Sequence, residues 1–309
     1  MNEYNNHQPV LLNEVLSFVK TDNNQVIVDM TLGRFGHGSN IVKKIGSGSR
    51  YYGIDRDNDA INYCSEHYHD DKVKLRFIHS NFSKGIEEVK KYGEKEADFI
   101  LLDIGVSSPQ FDNPDRGFSY RFDSPLDMRM NQDDKLTCYD VVNNYSENQL
   151  VEIFSKYGQC HNAKRVANNI VNRRKEKPIK TTLQLVDIIK EVLPAKELNG
   201  IGHPCKQYFL ALRYEVNKEL YELEIGLKEA ILFLKKEGRL ACISFNFLED
   251  KIVKNIINEF TRGEKKDKYK KIETTNYINL TKKPITASEE ELKTNNRAKS
   301  AILRIIERR

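Results

Sequence analysis

Three features that many proteins carry are absent or scarce in this sequence, and each absence narrows its class. The chain of 309 residues has no run near the roughly 18 apolar residues of a membrane span. Its first residues, M-N-E-Y-N-N-H-Q-P, lack the basic and apolar regions of a signal peptide. Its five cysteines are scattered without a C-x-x-C pair, which argues against a disulfide framework and a zinc site. We therefore expect a cytoplasmic protein that has reduced thiols, binds no metal and does not contact a membrane.

The composition is that of a globular protein with a small positive charge. Apolar residues make up 39% of the chain and charged residues 31%, and the length allows an α/β core with a second lobe. The formal net charge of +5 favours a polyanionic partner. Part of the excess lies between Arg262 and Lys271, a pattern that fits a solvated loop as well as a nucleic-acid contact.

The segment from Val26 to Asp57 has the pattern of a βαβ unit with a ligand-binding loop. An apolar run ends at Asp29, and three glycines beginning at Gly33, a helix-length segment and a second apolar run ending at Asp55 follow. Such glycines let a ligand approach the backbone, and an acid about 20 residues on can bind ribose hydroxyls. The order G-x-x-G-x-G favours a ribose-and-amino-acid ligand such as S-adenosylmethionine over a dinucleotide. A purely structural turn is the alternative.

Four strand-like segments alternate with helix-like ones, which predicts a parallel, doubly wound sheet. Each strand ends beside a polar residue: Asp29, Asp55, Asn81 or Asp103. Ligands bind outside the carboxyl ends of the strands in such sheets, so we expect these residues to line one crevice. A single strand-terminal acid can instead cap the next helix, but four in register favour a pocket.

The chain after Asp103 holds the densest cluster of Gly, Pro, Ser and Asp. It begins L-L-D-I-G-V-S-S-P-Q-F-D, continues through R-G-F-S-Y and ends with S-P-L-D-M-R-M at Met130. This length exceeds that of an ordinary connector. Its aromatic residues argue against disorder, so we expect a functional segment.

These motifs resemble the signature of the RsmH (MraW) family, bacterial methyltransferases that act on N4 of a cytidine in the decoding centre of 16S ribosomal RNA. The resemblance covers essentially the whole chain. Further blocks follow in the family's order: H-Q-P-V-L-L-N-E-V-L at 7–16, D-M-T-L-G-R-F-G-H-G at 29–38, Y-G-I-D-R-D at 52–57, S-F-N-F-L-E-D-K-I-V-K at 244–254, and K-P-I-T-A-S-E-E-E-L with N-R-A-K-S-A-I-L-R within 283–304.

The resemblance implies an α/β fold of class I, the Rossmann-like fold of S-adenosylmethionine-dependent methyltransferases, interrupted by an α-helical substrate-recognition domain. The small ribosomal subunit and its 16S RNA are the implied partners, and a homodimer stays open. Helix-like segments between Tyr145 and Leu193, without a strand pattern, agree with a helical insertion. The implied domains are residues 1–108 and 222–309 for the core and 109–221 for the inserted RNA-recognition domain.

The resemblance also implies S-adenosylmethionine as the cofactor and assigns it contacts. Asp55 would bind the ribose, Phe82 would lie beside the adenine, and Asp103 would face a positively charged group. His37 fits a loop hydrogen bond better than a catalytic base. The full set of cofactor contacts, with Gly33 from the glycine loop, is Gly33, Phe35, Gly36, His37, Asp55, Phe82, Asp103 and Gln110.

Catalysis and substrate binding are assigned to the segment after the fourth strand and to the helical insertion. The V-S-S-P-Q turn after the fourth strand occupies the place of an amino-methyltransferase motif, and we expect Asp103 and the Ser107-Ser108 turn to accept hydrogen bonds from the amine. A turn-forming role is the alternative for the serines. The expected substrate contacts are a base stacked on Phe111 and phosphates bound by Arg165, Arg173 and Arg174, with a solvated helix face as the alternative for the arginines.

The sequence departs from the family pattern at a few positions. Phe35 replaces a small residue, and its bulk is expected to narrow the cofactor pocket. Asn246 and Phe247 replace a histidine and a serine. Two other classes remain open. A dinucleotide-dependent oxidoreductase shares the βαβ pattern but leaves the S-S-P-Q loop without a role. A catalytically silent RNA-binding assembly factor, suggested by Phe35 and Asn246, would not bind the cofactor.

Overall fold

The computed structural model describes residues 8–262 and 275–309. The basic segment from Arg262 to Lys271 therefore lies, after its first residue, outside the described residues. The chain divides into two compact units, the first ending at Gly105 and resuming at Leu220, and the second running from Val106 to Glu219. The sequence had placed these boundaries after residues 108 and 221. Within the described ranges, no helix is both long and apolar enough to cross a membrane.

The first unit begins as an alternation of helices and strands. Its strands are rich in β-branched and aromatic residues, and β1 is buried at every position. The elements up to the second unit are α1 (Leu12–Ser17), β1 (Val26–Asp29), α2 (Gly36–Lys44), β2 (Arg50–Asp55), α3 (Asn58–His67), β3 (Lys74–His79), α4 (Phe82–Lys90) and β4 (Ala97–Asp103).

The described residues of the second unit form helices and loops, and their β-structure is limited to one isolated bridge between Pro125 and Thr181. Three of the helices begin at a Ser or Thr whose side chain accepts an N–H from the first turn, as at Ser146. The helices are α5 (Ser108–Asp112), α6 (Cys138–Asn144), α7 (Glu147–Lys156), α8 (Ala163–Glu176), α9 (Thr182–Lys190), α10 (Ala195–Leu198) and α11 (Lys206–Asn217).

The chain then returns to the first unit and completes its sheet. The remaining elements are α12 (Glu219–Leu232), β5 (Leu234–Ser244), α13 (Phe247–Arg262), β6 (Tyr277–Asn279), α14 (Glu289–Thr294) and β7 (Ile302–Arg308). The strand order is β3-β2-β1-β4-β5-β7-β6. The first five strands are parallel, and β7 runs antiparallel to β5 and β6.

Both faces of this sheet are buried by helices. Neighbouring residues of β1 belong to different apolar clusters, with Ile27 on one face and Val28 on the other, as the alternation of side chains along a strand requires. The predicted doubly wound α/β fold is confirmed. Because β1 pairs with both β2 and β4, the connections diverge there, and a crevice opens at the carboxyl ends of these strands.

The second unit is organised around a buried side-chain amide. Asn217, at the end of α11, is 1% exposed. Its Oδ1 accepts the N–H of Met130 over 2.8 Å, and its Nδ2 donates to the carbonyl of Met128 over 2.7 Å. Arg116 also donates to the carbonyl of Met130, over 2.8 Å. The L-D-M-R-M motif is therefore a structural segment that is held in the helical core.

Replacing Asn217 by Ala tests this role. The substitution leaves one buried N–H and one buried carbonyl without partners, and we expect it to lower the free energy of unfolding by about 2–4 kcal/mol. Asn172→Ala, at an exposed position of α8, is the matched control and should change it by less than about 0.5 kcal/mol. Urea unfolding followed by circular dichroism measures both, and equal losses would contradict the assignment.

Candidate active site

The loop after β1 is closed onto the tip of β2 by a carboxylate. Gly33, with a φ of 50°, donates its N–H to Asp55 Oδ2 over 2.8 Å, and Asp57 donates its N–H to Asp55 Oδ1 over 2.9 Å. Glycine adopts this positive φ without a steric penalty. Each carboxylate oxygen has a second lone pair for a ligand hydroxyl. Burial raises the pKa of Asp55 to about 6, which leaves it mostly ionised at pH 7.

The Phe35 side chain points into the core beneath this loop. Its ring is 2% exposed and lies 4.6 Å from the ring of Tyr68 and 5.2 Å from that of Tyr51. A Cβ at Gly38 would overlap the same ring, so the glycine makes room for it. The expectation that Phe35 narrows the pocket is therefore corrected, because the ring fills a core site.

Gly36 and His37 begin α2, and the imidazole of His37 is held between two acceptors. The side chain is 6% exposed, with Nε2 2.9 Å from the Val10 carbonyl and Nδ1 3.4 Å from Asp103 Oδ2. A carbonyl can only accept, so Nε2 carries the hydrogen. Burial lowers the pKa of His37. The neutral ring thus presents the lone pair of Nδ1 to Asp103.

Asp103 ends β4 with one carboxylate oxygen unused. Its backbone N–H donates to Thr31 Oγ1 over 2.7 Å, whereas its buried Oδ1 has no hydrogen-bond partner among residues 8–262 and 275–309. Burial, and then the charge of Glu249, raise the pKa of Asp103 to about 7. Buried polar atoms are normally paired, so this oxygen has an unused capacity to accept a hydrogen bond.

The other two polar strand ends have different roles. Asp29 is 1% exposed, accepts the Tyr51 hydroxyl over 2.6 Å and the Thr31 N–H over 3.0 Å, and so supports the floor of the crevice. Asn81 precedes α4 and makes no side-chain cap bond to it. Asp29 thus serves the fold, whereas Asp55 and Asp103 lie at strand ends as the sequence predicts, and their contacts to a ligand stay predictions.

Phe82 is positioned by a helix that lies about 140 residues later in the sequence. The N–H of Ser83 donates to Glu222 on α12 over 3.3 Å. Gly226 on the same helix has no side chain, and a Cβ there would lie 2.7 Å from the Cβ of Phe82. Sequence reasoning missed Glu222 and Gly226, because no local motif joins them to the start of α4.

The residues that depart from the family pattern near the end of β5 are accommodated. Asn246 Oδ1 accepts the N–H groups of Leu248 and Glu249 over 3.0 and 3.2 Å, so it caps α13. Glu249 in turn accepts the N–H of Phe245 over 2.9 Å. Asn246, which stands where the family has a histidine, therefore still caps the start of α13. Phe247 is exposed, with Lys251 Nζ 6.0 Å from its ring centroid.

Four predicted site residues of the second unit lie at its first helix, α5: the N-cap residue Ser107, then Ser108, Gln110 and Phe111. Gln110, 5% exposed, accepts the N–H of Ser107 over 3.0 Å and so fixes the helix start. Phe111 is partly buried against the helical core. The side chain of Ser108 lies outside the described residues. The hydrogen bond between Ser107 and Gln110 thus forms the turn before α5, and the roles of both residues toward ligands stay predictions.

The three predicted arginines of α8 differ in their surroundings. Arg174 donates to the carbonyls of Val142 and Tyr145 over 2.6 and 2.5 Å, and Arg173 Nη2 lies 2.5 Å from the Glu191 carboxylate. Arg165 is exposed and makes no hydrogen bond or ion pair with the described residues. Arg174 is therefore occupied by backbone carbonyls and Arg173 by an exposed ion pair, and phosphate binding by the three arginines stays a prediction.

The crevice of the first unit suits S-adenosylmethionine better than a dinucleotide. Asp55 offers acceptors to ribose hydroxyls, and the orphaned oxygen of Asp103 offers an anion to a sulfonium or ammonium group. A dinucleotide would place its pyrophosphate against the glycine loop and the start of α2. The N–H of Gly33, which a phosphate would need, is already bonded to Asp55. This charge distribution argues against the oxidoreductase alternative.

Several solved structures resemble the chain at low sequence identity. They include an rRNA methylase from Streptococcus thermophilus (10% identity, 96% of this chain and 92% of that chain, TM-score 0.40). A methyltransferase homologue from Pyrococcus horikoshii (11% identity, 98% and 67%, TM-score 0.44) is another. A third is NSun6 from Pyrococcus horikoshii (10% identity, 97% and 52%, TM-score 0.41).

The family is shown by a whole-chain match rather than by these distant structures. The model of the MraW methylase family matches residues 4–309. The predicted methyltransferase class and its cofactor, S-adenosylmethionine, are thereby confirmed. From its sequence match and its crevice, the chain belongs to the MraW methylase family.

Proposed function

We propose that this methyltransferase transfers a methyl group from S-adenosylmethionine to the exocyclic N4 amine of a cytidine in the decoding centre of 16S ribosomal RNA. The observation that carries the proposal is the buried Oδ1 of Asp103 at the carboxyl end of β4, which has no hydrogen-bond partner in the part of the chain that the structure describes. An amine must lose a proton when it is methylated, and this oxygen can accept a proton at the carboxyl ends of the strands, where the crevice lies. The resemblance of the Asp103 segment to the RsmH signature supports the N4 position, and the net charge of +5 agrees with an RNA substrate.

The proposed cofactor contacts follow from the crevice of the first unit. Asp55 accepts the ribose hydroxyls, Phe82 lies beside the adenine, and the loop of Gly33, Gly36 and His37 borders the ligand. Phe35 contributes through its backbone, since its ring is in the core. Bound S-adenosylmethionine supplies a methyl group activated by a positively charged sulfur.

The protein's contribution to the reaction is orientation and the acceptance of a proton. N4 of cytosine is a weak nucleophile because its lone pair is delocalised into the ring. Asp103 holds an N–H of the amine, which directs the nitrogen lone pair and receives the proton that methylation makes acidic. Ser107 and Ser108 are proposed as acceptors for the remaining N–H. In the second unit, Phe111 is proposed to stack on a base and Arg165 to bind a phosphate.

Methyl transfer to the proposed substrate is tested by product analysis. Small ribosomal subunits that lack the modification are incubated with the protein and S-adenosylmethionine labelled in its methyl group. We expect N4-methylcytidine in the digested 16S RNA, and no incorporation into subunits that already carry the modification. Label in a different nucleoside, or no label while the cofactor binds, would contradict the proposal.

Asp103 is tested by the isosteric substitution Asp103→Asn. An amide cannot accept the proton, so we expect kcat to fall by about 100-fold or more. In the unmodified protein, kcat should rise with pH through about 7, because protonation of Asp103 below its raised pKa of about 7 blocks the acceptor. The variant should lack this pH dependence. Asp71→Asn, at an exposed position, is the control, and wild-type turnover by Asp103→Asn would remove Asp103 from the mechanism.

The two kinds of arginine in α8 predict different losses. Arg165→Ala should reduce RNA affinity and decrease the slope of log K against log salt concentration by roughly 0.7–0.9, with no change in stability. Arg174→Ala leaves two backbone carbonyls without their donor, and we expect it to lower the free energy of unfolding by about 1–3 kcal/mol. Filter binding at several salt concentrations and urea unfolding measure these effects. An unchanged slope for Arg165→Ala would exclude its phosphate contact.

A further inference from the structure

We propose that His37 is a positioning residue which holds, together with Asp103, the proton that leaves the substrate amine. The two side chains would share one proton between His37 Nδ1 and the Asp103 carboxyl group after methyl transfer. The inference rests on the proposed function, since the amine is the source of the proton. It adds a route for that proton, and it gives the imidazole a role beyond bordering the cofactor loop.

The orientation of the imidazole is fixed by a backbone group. His37 Nε2 lies 2.9 Å from the carbonyl oxygen of Val10, which accepts the Nε2 hydrogen. With a single ring hydrogen at Nε2, Nδ1 has only a lone pair to present. The side chain is 6% exposed, so water has little access to replace the hydrogen bond to Val10. Val10, α2 and β4 all belong to the first unit, so its fold fixes both ends of this arrangement.

The distance between His37 Nδ1 and Asp103 Oδ2 fits two hydrogen-bond acceptors that have no proton between them. Nδ1 lies 3.4 Å from Asp103 Oδ2, which is longer than an ordinary hydrogen bond. When Asp103 is ionised, the lone pairs of these atoms face one another. A proton placed on either atom would convert the contact into a hydrogen bond, and such catalytic contacts commonly tighten during reaction.

The surrounding charges favour the arrival of a proton. Asp29 of β1 and Glu291 of α14 raise the pKa of His37, against the larger lowering by burial. Glu249 of α13 adds to the effect of burial in raising the pKa of Asp103 to about 7. The pair therefore takes up a proton readily at neutral pH without holding it permanently.

The reaction balances without any further reactant. The bond from the amine nitrogen to the methyl carbon forms as the sulfur–methyl bond breaks, and its electron pair stays on sulfur. The methylated nitrogen then gives one proton to Asp103, and its lone pair returns to the ring. Oδ1 now carries the proton, and a half-turn of the carboxyl group about its Cβ–Cγ bond brings this O–H to His37, where Nδ1 accepts its hydrogen bond. The proton passes to solvent when the products leave.

Two substitutions separate this role from a structural one. In His37→Asn the amide lies near the position of Nδ1 and can still accept from Asp103, whereas in His37→Gln it lies near that of Nε2 and retains only the bond to Val10. We expect His37→Gln to lower kcat by about tenfold at pH 7, and His37→Asn to recover most of that loss. The two variants should differ in kcat rather than in cofactor affinity. His69→Gln, at an exposed position, is the control.

The pH profile gives a readout that a structural role would not change. A hydrogen bond to the protonated form of a carboxyl group raises its pKa. Loss of the Nδ1 acceptor should therefore lower the pKa of Asp103 and move the acidic limb of the kcat profile about one pH unit lower in His37→Gln. An equal loss of kcat in the Gln and Asn variants, with an unshifted profile, would overturn the proposal.

The shared proton can be measured in the free protein, independently of any RNA. Nitrogen-15 NMR should show His37 protonated at Nε2 and unprotonated at Nδ1 between pH 6 and 8. The Asp103 carboxyl carbon should titrate near pH 7 in the unmodified protein and at lower pH in His37→Gln. Protonation at Nδ1, or an unchanged Asp103 titration, would overturn the inference even if methyl transfer to N4 is observed. The absence of methyl transfer would instead count against the proposed function.

Discussion

The position of β1 between β2 and β4 is the constraint on which the first unit depends. Because α2 and α12 pack on opposite faces of the sheet, the carboxyl ends of β1 and β4 stay uncovered by a crossover. Asp55 lies at the end of β2 and Asp103 at that of β4, and hydrogen bonds from Gly33 and Asp57 hold Asp55 in place. The fold thus places two carboxyl groups at the carboxyl ends of the strands, where burial raises the pKa of each.

Two residues that depart from the family pattern make structural contacts that leave the crevice intact. Phe35 fills a core site beside Tyr51 and Tyr68 rather than the crevice. Asn246 retains the cap of α13. Both observations weaken the case for a catalytically silent assembly factor, which rested on these two residues. In the second unit, the buried amide of Asn217 accounts for much of the L-D-M-R-M motif through structure alone.

The alternation of apolar runs with helical segments was enough to predict the sheet and the acids at its edge. Strand periodicity and glycine placement are local signals, so Asp55 and Asp103 were visible in the sequence. The support of Phe82 by Gly226 was not, because it depends on a close approach of helices far apart in the chain. Likewise, charge alone did not distinguish Arg165 from Arg174, whose guanidinium is occupied by two backbone carbonyls.

The proposed function requires that the crevice of the first unit binds S-adenosylmethionine through Asp55 and presents the charged end of the cofactor to Asp103. A crystal structure of the protein with S-adenosylmethionine would show both contacts. We expect ribose hydroxyls within hydrogen-bond distance of the Asp55 carboxylate and the sulfonium end of the cofactor on the side of Asp103 Oδ1. A ribose bound away from Asp55, or a cofactor whose charged end points away from Asp103, would contradict it.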